Sequence, residues 1–208
     1  MVQDPVSGGA ASVTGPVLPL RYSSVAMTLH WTIAALMLAD FAFALSFSRF
    51  DPGDLLYFPS AYSLHMSVGM AVLVMSLLRL LWRLMHRFPP LPRGMGAASR
   101  LLAKTTHMLL YFFMIAAPVS GWAVLSVRKK PPVFFGALHW PNISYLADMS
   151  REQRGTIHQV MLPGHIWLSY IAMSFVGLHI LAALYHHYYR RDDVLRRMLP
   201  WTRLHSAG

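Results

Sequence analysis

A chain of 208 residues holds eleven histidines and no cysteine, and the histidines able to do chemistry are those set inside apolar runs. The segment MLPGHIWLSYIAMSFVGLHILAALYHH carries His165, His179, His186 and His187. Between His165 and Tyr185 it has no charged residue, about the length needed to cross a hydrocarbon core. His165 and His179 are 14 residues apart, so at about 1.5 Å per residue they lie about 21 Å apart on nearly the same helix face. One helix thus offers two imidazoles at two membrane depths. Ionisable groups inside a span are costly and face the bundle interior, so such a pair reads as functional. Two haems, one toward each membrane surface, would need this arrangement.

Three further apolar runs supply partners. The first span, about 25 to 48, opens at Ser23 and Ser24 and places His30 about two turns inside, with Trp31 next to it. It also carries Asp40 near mid-membrane, a carboxylate expected to be neutral or beside polar groups. His65 opens the second span, about 63 to 84, in the spacing His65-x-x-x-Gly69. A glycine one turn from a histidine leaves room for a flat porphyrin, although glycine is common in membrane helices. Arg79, 14 residues beyond His65, is a candidate for a haem propionate or for snorkelling to lipid phosphate. The third span, about 105 to 127, holds His107 at its start and an expected kink at Pro118.

Helix direction decides which histidines share a depth. His30 is near the inner end of an outward-running helix and His179 in the inner half of an inward-running one. His65 and His165 both lie near outer ends. Among these four, only His30 with His179 and His65 with His165 match, so each haem would sit between two imidazoles on different helices. His107, also at inner depth, is a rival for the inner site or a neighbour of it. A zinc or proton-linked transport or sensing site is the alternative left open by the spacing.

Composition limits the rest. At 55% hydrophobic and 12% charged, the chain is too apolar for an ordinary soluble domain. Without cysteine there is no iron–sulfur cluster, disulfide or covalent c-type haem attachment, so any haem is b-type. The formal charge of +10 does not imply nucleic acid, because no soluble basic domain carries it; cytoplasmic arginines account for it. Fourteen methionines show no Met-x-x-Met clustering and read as packing rather than copper ligands. Eleven Lys and Arg fall on one side of the spans and six on the other, which puts both termini in the cytoplasm. The six include an unusually basic outer run, Arg128, Lys129 and Lys130. The expected organisation is a mobile cytoplasmic tail over 1–20, a membrane domain over 21–190 and a basic tail over 191–208. A Pro/Gly-rich inner loop is expected over 84–104, and a long outer segment before the fourth span. His86, His139 and His205 are expected to be solvated.

The stretches RYSSVAMTLHW, the His65-x-x-x-Gly69 helix ending LLRLLWRL, HMLLYFFMIAAPVSGW and GLHILAALYHHY together resemble the bacterial cytochrome b561 family over about residues 21 to 200. That resemblance implies an all-α membrane protein of the inner membrane, a four-helix bundle holding two b-type haems. Carried over by motif, the axial ligands are His30, His65, His165 and His179. Asp40 departs from the apolar residue expected there. With both axial positions filled, haem iron passes single electrons rather than binding oxygen. The resemblance implies superoxide oxidation on the periplasmic side and ubiquinone reduction in the membrane. Arg128, Lys129 and Lys130 are then candidates for steering superoxide or for anchoring to lipid phosphate. His186, with His187 and Arg79, is a candidate for the quinone site. A haem subunit serving a partner dehydrogenase or hydrogenase is the other reading.

Overall fold

The computed structural model describes residues 21–49, 60–90 and 96–202; the expected tail over 1–20 and His205 lie outside them. Four long helices dominate: α1 (Ser24–Arg49), α2 (Ala61–Met85), α3 (Ala97–Val127) and α5 (Arg151–Tyr185). Between α3 and α5 stand a two-stranded hairpin, β1 (Val133–Phe134) and β2 (Leu138–His139), and a short helix α4 (Ser144–Ala147). Each long helix is long and apolar enough to span a membrane. Their exposed surfaces are rich in Leu77, Leu81, Trp167, Leu178 and Leu181, the composition lipid requires where backbone polarity is satisfied within the helix.

The helices alternate in direction. One end of the bundle, here the terminal end, gathers the start of α1, the α2–α3 connection and the chain after α5. The other, the hairpin end, gathers the segment between α3 and α5. α1 packs on α2, α2 on α3, and α3 on α5. A core of Ile33, Met37, Val68, Val72 and Met114, flanked by Leu36, Met75, Tyr111 and Val176, fills the middle of the bundle. In sequence these residues fall between His30 and Asp40 on α1 and between His65 and Arg79 on α2, so an apolar layer separates the two histidine levels.

Local chemistry explains the ends. Ser23 Oγ accepts from Ala26 N–H at 3.3 Å, the serine cap expected at the start of α1. At the far end of α3, Lys130 N–H donates to Leu125 O and Lys129 N–H to Ser126 O, both at 3.0 Å, with Lys129 at φ 53°. That is a Schellman ending built on lysine rather than glycine. The basic run Arg128 to Lys130 therefore sits where a helix C-terminus favours cations.

Two expectations need correction. α3 begins at Ala97, not near 105, because AASRLLAK is made of good helix formers that extend the span out of the Pro/Gly loop. α5 begins at Arg151 and runs 35 residues through Pro163, about 52 Å at 1.5 Å per residue. His165 therefore lies well inside α5 and not near its end. Its start is fixed by a capping box: Gln153 N–H donates to Ser150 Oγ at 3.2 Å and Ser150 N–H to Gln153 Oε1 at 3.0 Å. The basic tail expected over 191–208 is described as far as residue 202. A π-helical turn (His186–Arg190) and a 3-10 turn (Arg196–Met198) fold it back on the bundle. Trp31 Nε1 donates to Met198 O at 2.8 Å, Arg197 Nη1 donates to Pro90 O at 2.7 Å, and Arg21 Nη2 donates to Leu199 O.

Candidate haem-binding site

The four histidines of the depth argument meet in two pairs. His30 on α1 faces His179 on α5 with ring centroids 6.2 Å apart, in the terminal half. His65 on α2 faces His165 on α5 at 6.1 Å, in the hairpin half. Neither α1 with α5 nor α2 with α5 is among the closely packed helix pairs, so the rings reach toward each other across gaps rather than through tight contact.

These separations test the fit of a haem. Two imidazole nitrogens bound in line to one metal at about 2 Å each set the ring centroids a little over ~6 Å apart. Both pairs meet that spacing. His107 also approaches His179, but at 5.4 Å, short of it. Its Nδ1 lies 2.6 Å from Ala103 O, the usual helix-internal partner of a histidine that is not held from outside. Among the described residues no group of three or more His, Asp or Glu converges on one point. A closed zinc cage needs four ligands and a catalytic zinc three, whereas an axially ligated haem takes two. The residues fit haem.

Neighbours fix the rings at the hairpin-end pair. Ser120 Oγ–H donates to Ala117 O at 2.7 Å. Its single proton is thereby spent, so at 2.8 Å from His165 Nδ1 the hydroxyl accepts. His165 then carries its proton on Nδ1 and presents the Nε2 lone pair, the form that ligates a metal. Beside it, a Cβ on Gly121 would stand 3.1 Å from His165 Cε1, so the ring lies in the space a side chain would fill. Asp40 Oδ1 stands 2.9 Å from His65 Nδ1. The carboxylate that looked stranded mid-membrane thus lies beside a polar ring, as its cost demands.

In the terminal half, Arg79 donates from Nε to Tyr111 Oη at 3.2 Å and from Nη1 to Ala26 O at 3.1 Å. It points into the bundle among α1, α2 and α3 and does not snorkel outward. His186 Nδ1 lies 2.5 Å from Asp192 Oδ2, a partner supplied by the turn after the π-helical segment. Arg79 and His186 are thus held by different groups, and His187 Nδ1 is buried without a hydrogen-bond partner. At the hairpin end Arg128 lines a cleft of about 590 Å³ with Val127, Arg151, Arg154, Gly155 and His158. Lys129 and Lys130 are exposed beside it. His86 and His139 are exposed as expected, although His86 stacks on Trp82 at 3.7 Å.

Residues 21–201 match the model of the prokaryotic cytochrome b561 family. The chain belongs to that family. It is 29% identical over 185 residues to cytochrome b561 homolog 2 of Escherichia coli K12, covering 87% of this chain and 92% of that protein. It is 30% identical over 183 residues, 86% of this chain and 96% of the relative, to a probable superoxide oxidase CybB of Yersinia pestis. A cytochrome b562 of Cereibacter sphaeroides is 25% identical over 181 residues, 86% and 94% of the two chains. This cytochrome is accordingly a multi-pass bacterial membrane protein of the electron-transfer, b-type haem class.

Sequence reading missed Ser120, Gly121, Arg151, Arg154, His158 and Asp192 as parts of these sites. Ser120-Gly121 had a visible signal: two small residues one after the other in an apolar span mark close approach by another helix. If Ser120 sets the tautomer of His165, Ser120→Ala should weaken haem retention at the hairpin-end pair by about 10- to 100-fold, the range typical of partners that orient a metal ligand. Haem loss to an apo-globin acceptor measures it, and a Ser120→Thr variant, which keeps the hydroxyl, should retain haem.

Proposed function

We propose that this cytochrome holds two b-type haems, one between His30 and His179 and one between His65 and His165, and moves single electrons across the membrane from superoxide to ubiquinone. The observation that carries the proposal is the pair of histidine pairs, at two levels of the bundle and both at the spacing of axial ligation. Haem with both axial positions filled supplies outer-sphere single-electron transfer. The chain's own residues supply access, orientation and protons.

The charge balance supports both termini in the cytoplasm, which puts the hairpin end on the periplasmic side. There Arg128, Arg151, Arg154 and His158 line one cleft, and Lys129 and Lys130 add charge at its rim. His158 stands seven residues before His165 on α5, about 10 Å along the axis. A cleft walled by one sign of charge gathers small anions and speeds their encounter by about 10- to 1,000-fold. Arg154 is itself fixed, donating from Nη1 to Val127 O and from Nε to Met149 O, each at 3.2 Å, so the cleft has a rigid cationic wall.

At the opposite end, ubiquinone must gain two electrons and two protons for every two superoxide anions converted to oxygen. His186, held by Asp192, is positioned seven residues beyond His179 to pass protons, because an imidazole braced by a carboxylate can take a proton from water and hand it on. The pair also fixes which nitrogen faces outward.

The decisive experiment is a superoxide pulse on the purified protein with ubiquinone present, following haem reduction and quinol formation. Rapid reduction is the expected result, and it should slow as ionic strength rises. Combining Arg128→Glu with Arg151→Glu should slow it by at least about tenfold without altering the static haem spectrum. Two haems with no reduction by superoxide would instead assign the chain to electron exchange with a protein donor.

A further inference from the structure

Asp40 is the one carboxylate set within the apolar length of α1, and neither packing nor solubility accounts for it. Its Oδ1 lies 2.9 Å from His65 Nδ1, with the two side chains 15% and 19% exposed. Both atoms are buried and neither makes an aligned hydrogen bond, with the other or with any further group. The two atoms lie within hydrogen-bond distance but out of alignment, and a turn about the last side-chain torsion, which is broad for both histidine and aspartate, would bring the N–H onto the oxygen. The approach is open because α2 carries Gly69 one turn after His65: a Cβ there would stand 3.8 Å from Asp40 Oδ2, and a longer side chain would crowd the carboxylate.

We propose that Asp40 is a positioning residue for His65, accepting the Nδ1 proton so that Nε2 faces the haem, and that its carboxylate lowers the midpoint potential of that haem alone. The proposal rests on the reading that His65 and His165 hold a haem. Its chemistry is general: a carboxylate on the distal N–H of a ligating imidazole fixes the tautomer and makes the ring a stronger donor, and a stronger donor favours the oxidised metal. Charged acceptors do this more strongly than neutral ones. The facing ring of the same pair and the rival ring of the other level have neutral partners. His165 is held by the Ser120 hydroxyl and His107 by the Ala103 carbonyl. Among the described residues Asp40 is the carboxylate paired with one of the four rings, and it stands on one side of one level. It biases electrons to leave the hairpin end for the terminal end.

The test is a spectroscopic redox titration of the full-length protein and of Asp40→Asn and Asp40→Leu variants, with haem counted per chain. Asp40→Leu should raise one of two midpoints by at least tenfold in the oxidation equilibrium, about 59 mV for one electron, and leave the other unmoved. Asp40→Asn keeps an acceptor oxygen without the charge and should shift the same midpoint by less. Asp40→Glu should restore part of the shift. If leucine costs the haem altogether, the asparagine variant decides the matter alone. Two haems with both midpoints unmoved, or both moved equally, would overturn the role of Asp40. Fewer than two haems in the unaltered protein would overturn the ligand assignment beneath it, and that outcome is visible before any variant is made.

Discussion

Replacing His179 with leucine is expected to lower bound haem from about two per chain to about one, as paired axial ligation requires, and to abolish electron delivery to quinone. His179 is the single α5 ligand of the terminal-end pair, facing His30 at 6.2 Å. Leucine has nearly the volume of the ring and no lone pair, so the helix should still pack while this level loses one of the two nitrogens that would hold a haem. The remaining haem, between His65 and His165, should keep its spectrum and its reduction by superoxide, because the apolar layer around Ile33, Met37, Val68 and Val72 separates the two levels. His107→Leu is the informative comparison. His107 is tied to Ala103 O and stands 5.4 Å from His179, too close for a shared iron, so that variant should retain both haems. Haem content by the pyridine haemochrome method, read with the reduced-minus-oxidised spectrum, checks both. Full haem in the His179 variant, or loss only in the His107 variant, would exchange their roles.

The two histidine levels were legible in the sequence because helical rise converts residue number into depth, and depth alone pairs His30 with His179 and His65 with His165. The bounds of α1 and α2 were legible for a similar reason: apolar runs flanked by serine, proline and arginine have few ways to end. α5 was legible only in part. Its apolar stretch begins near His165, but the helix begins at Arg151, and the polar turns between them carry no hydropathy signal. The signal is instead the Ser150-x-x-Gln153 box, which lies 15 residues before His165 among polar residues. The basic run Arg128 to Lys130 is unusual for an outer segment by charge, and its structural role, Lys129 in the left-handed region closing α3, carries no signal in residue type because glycine is the usual residue there. The partners of the rings were the least legible part. Asp40 meets His65 across 25 residues and Ser120 meets His165 across 45, contacts created by bundle geometry that no local pattern encodes.

Gly121→Leu should remove the hairpin-end haem while sparing the other. Even a Cβ at this position would stand 3.1 Å from His165 Cε1, closer than carbon ordinarily comes, and in contact at 3.5 Å with both ring nitrogens. The ring cannot move away without leaving the Ser120 hydroxyl at 2.8 Å, and the backbone of α3 cannot retreat without opening its contact with α5. A leucine therefore forces His165 out of line with His65. Overpacking of this kind costs about 1–3 kcal/mol in an ordinary core, which a four-helix membrane protein can absorb, so the fold and the His30 and His179 level should survive. Alanine is the graded case: its single methyl demands a shift of a few tenths of an ångström, and it should weaken haem binding at this level rather than abolish it. The measurement is haem per chain together with the low-temperature reduced spectrum, in which two haems in unlike surroundings are expected to contribute separable bands. Loss of one band in the leucine variant with the second intact is the expected result. Loss of both bands would show that Gly121 serves helix packing in general, and loss of neither would show that the ring has a second resting place from which it still reaches the metal.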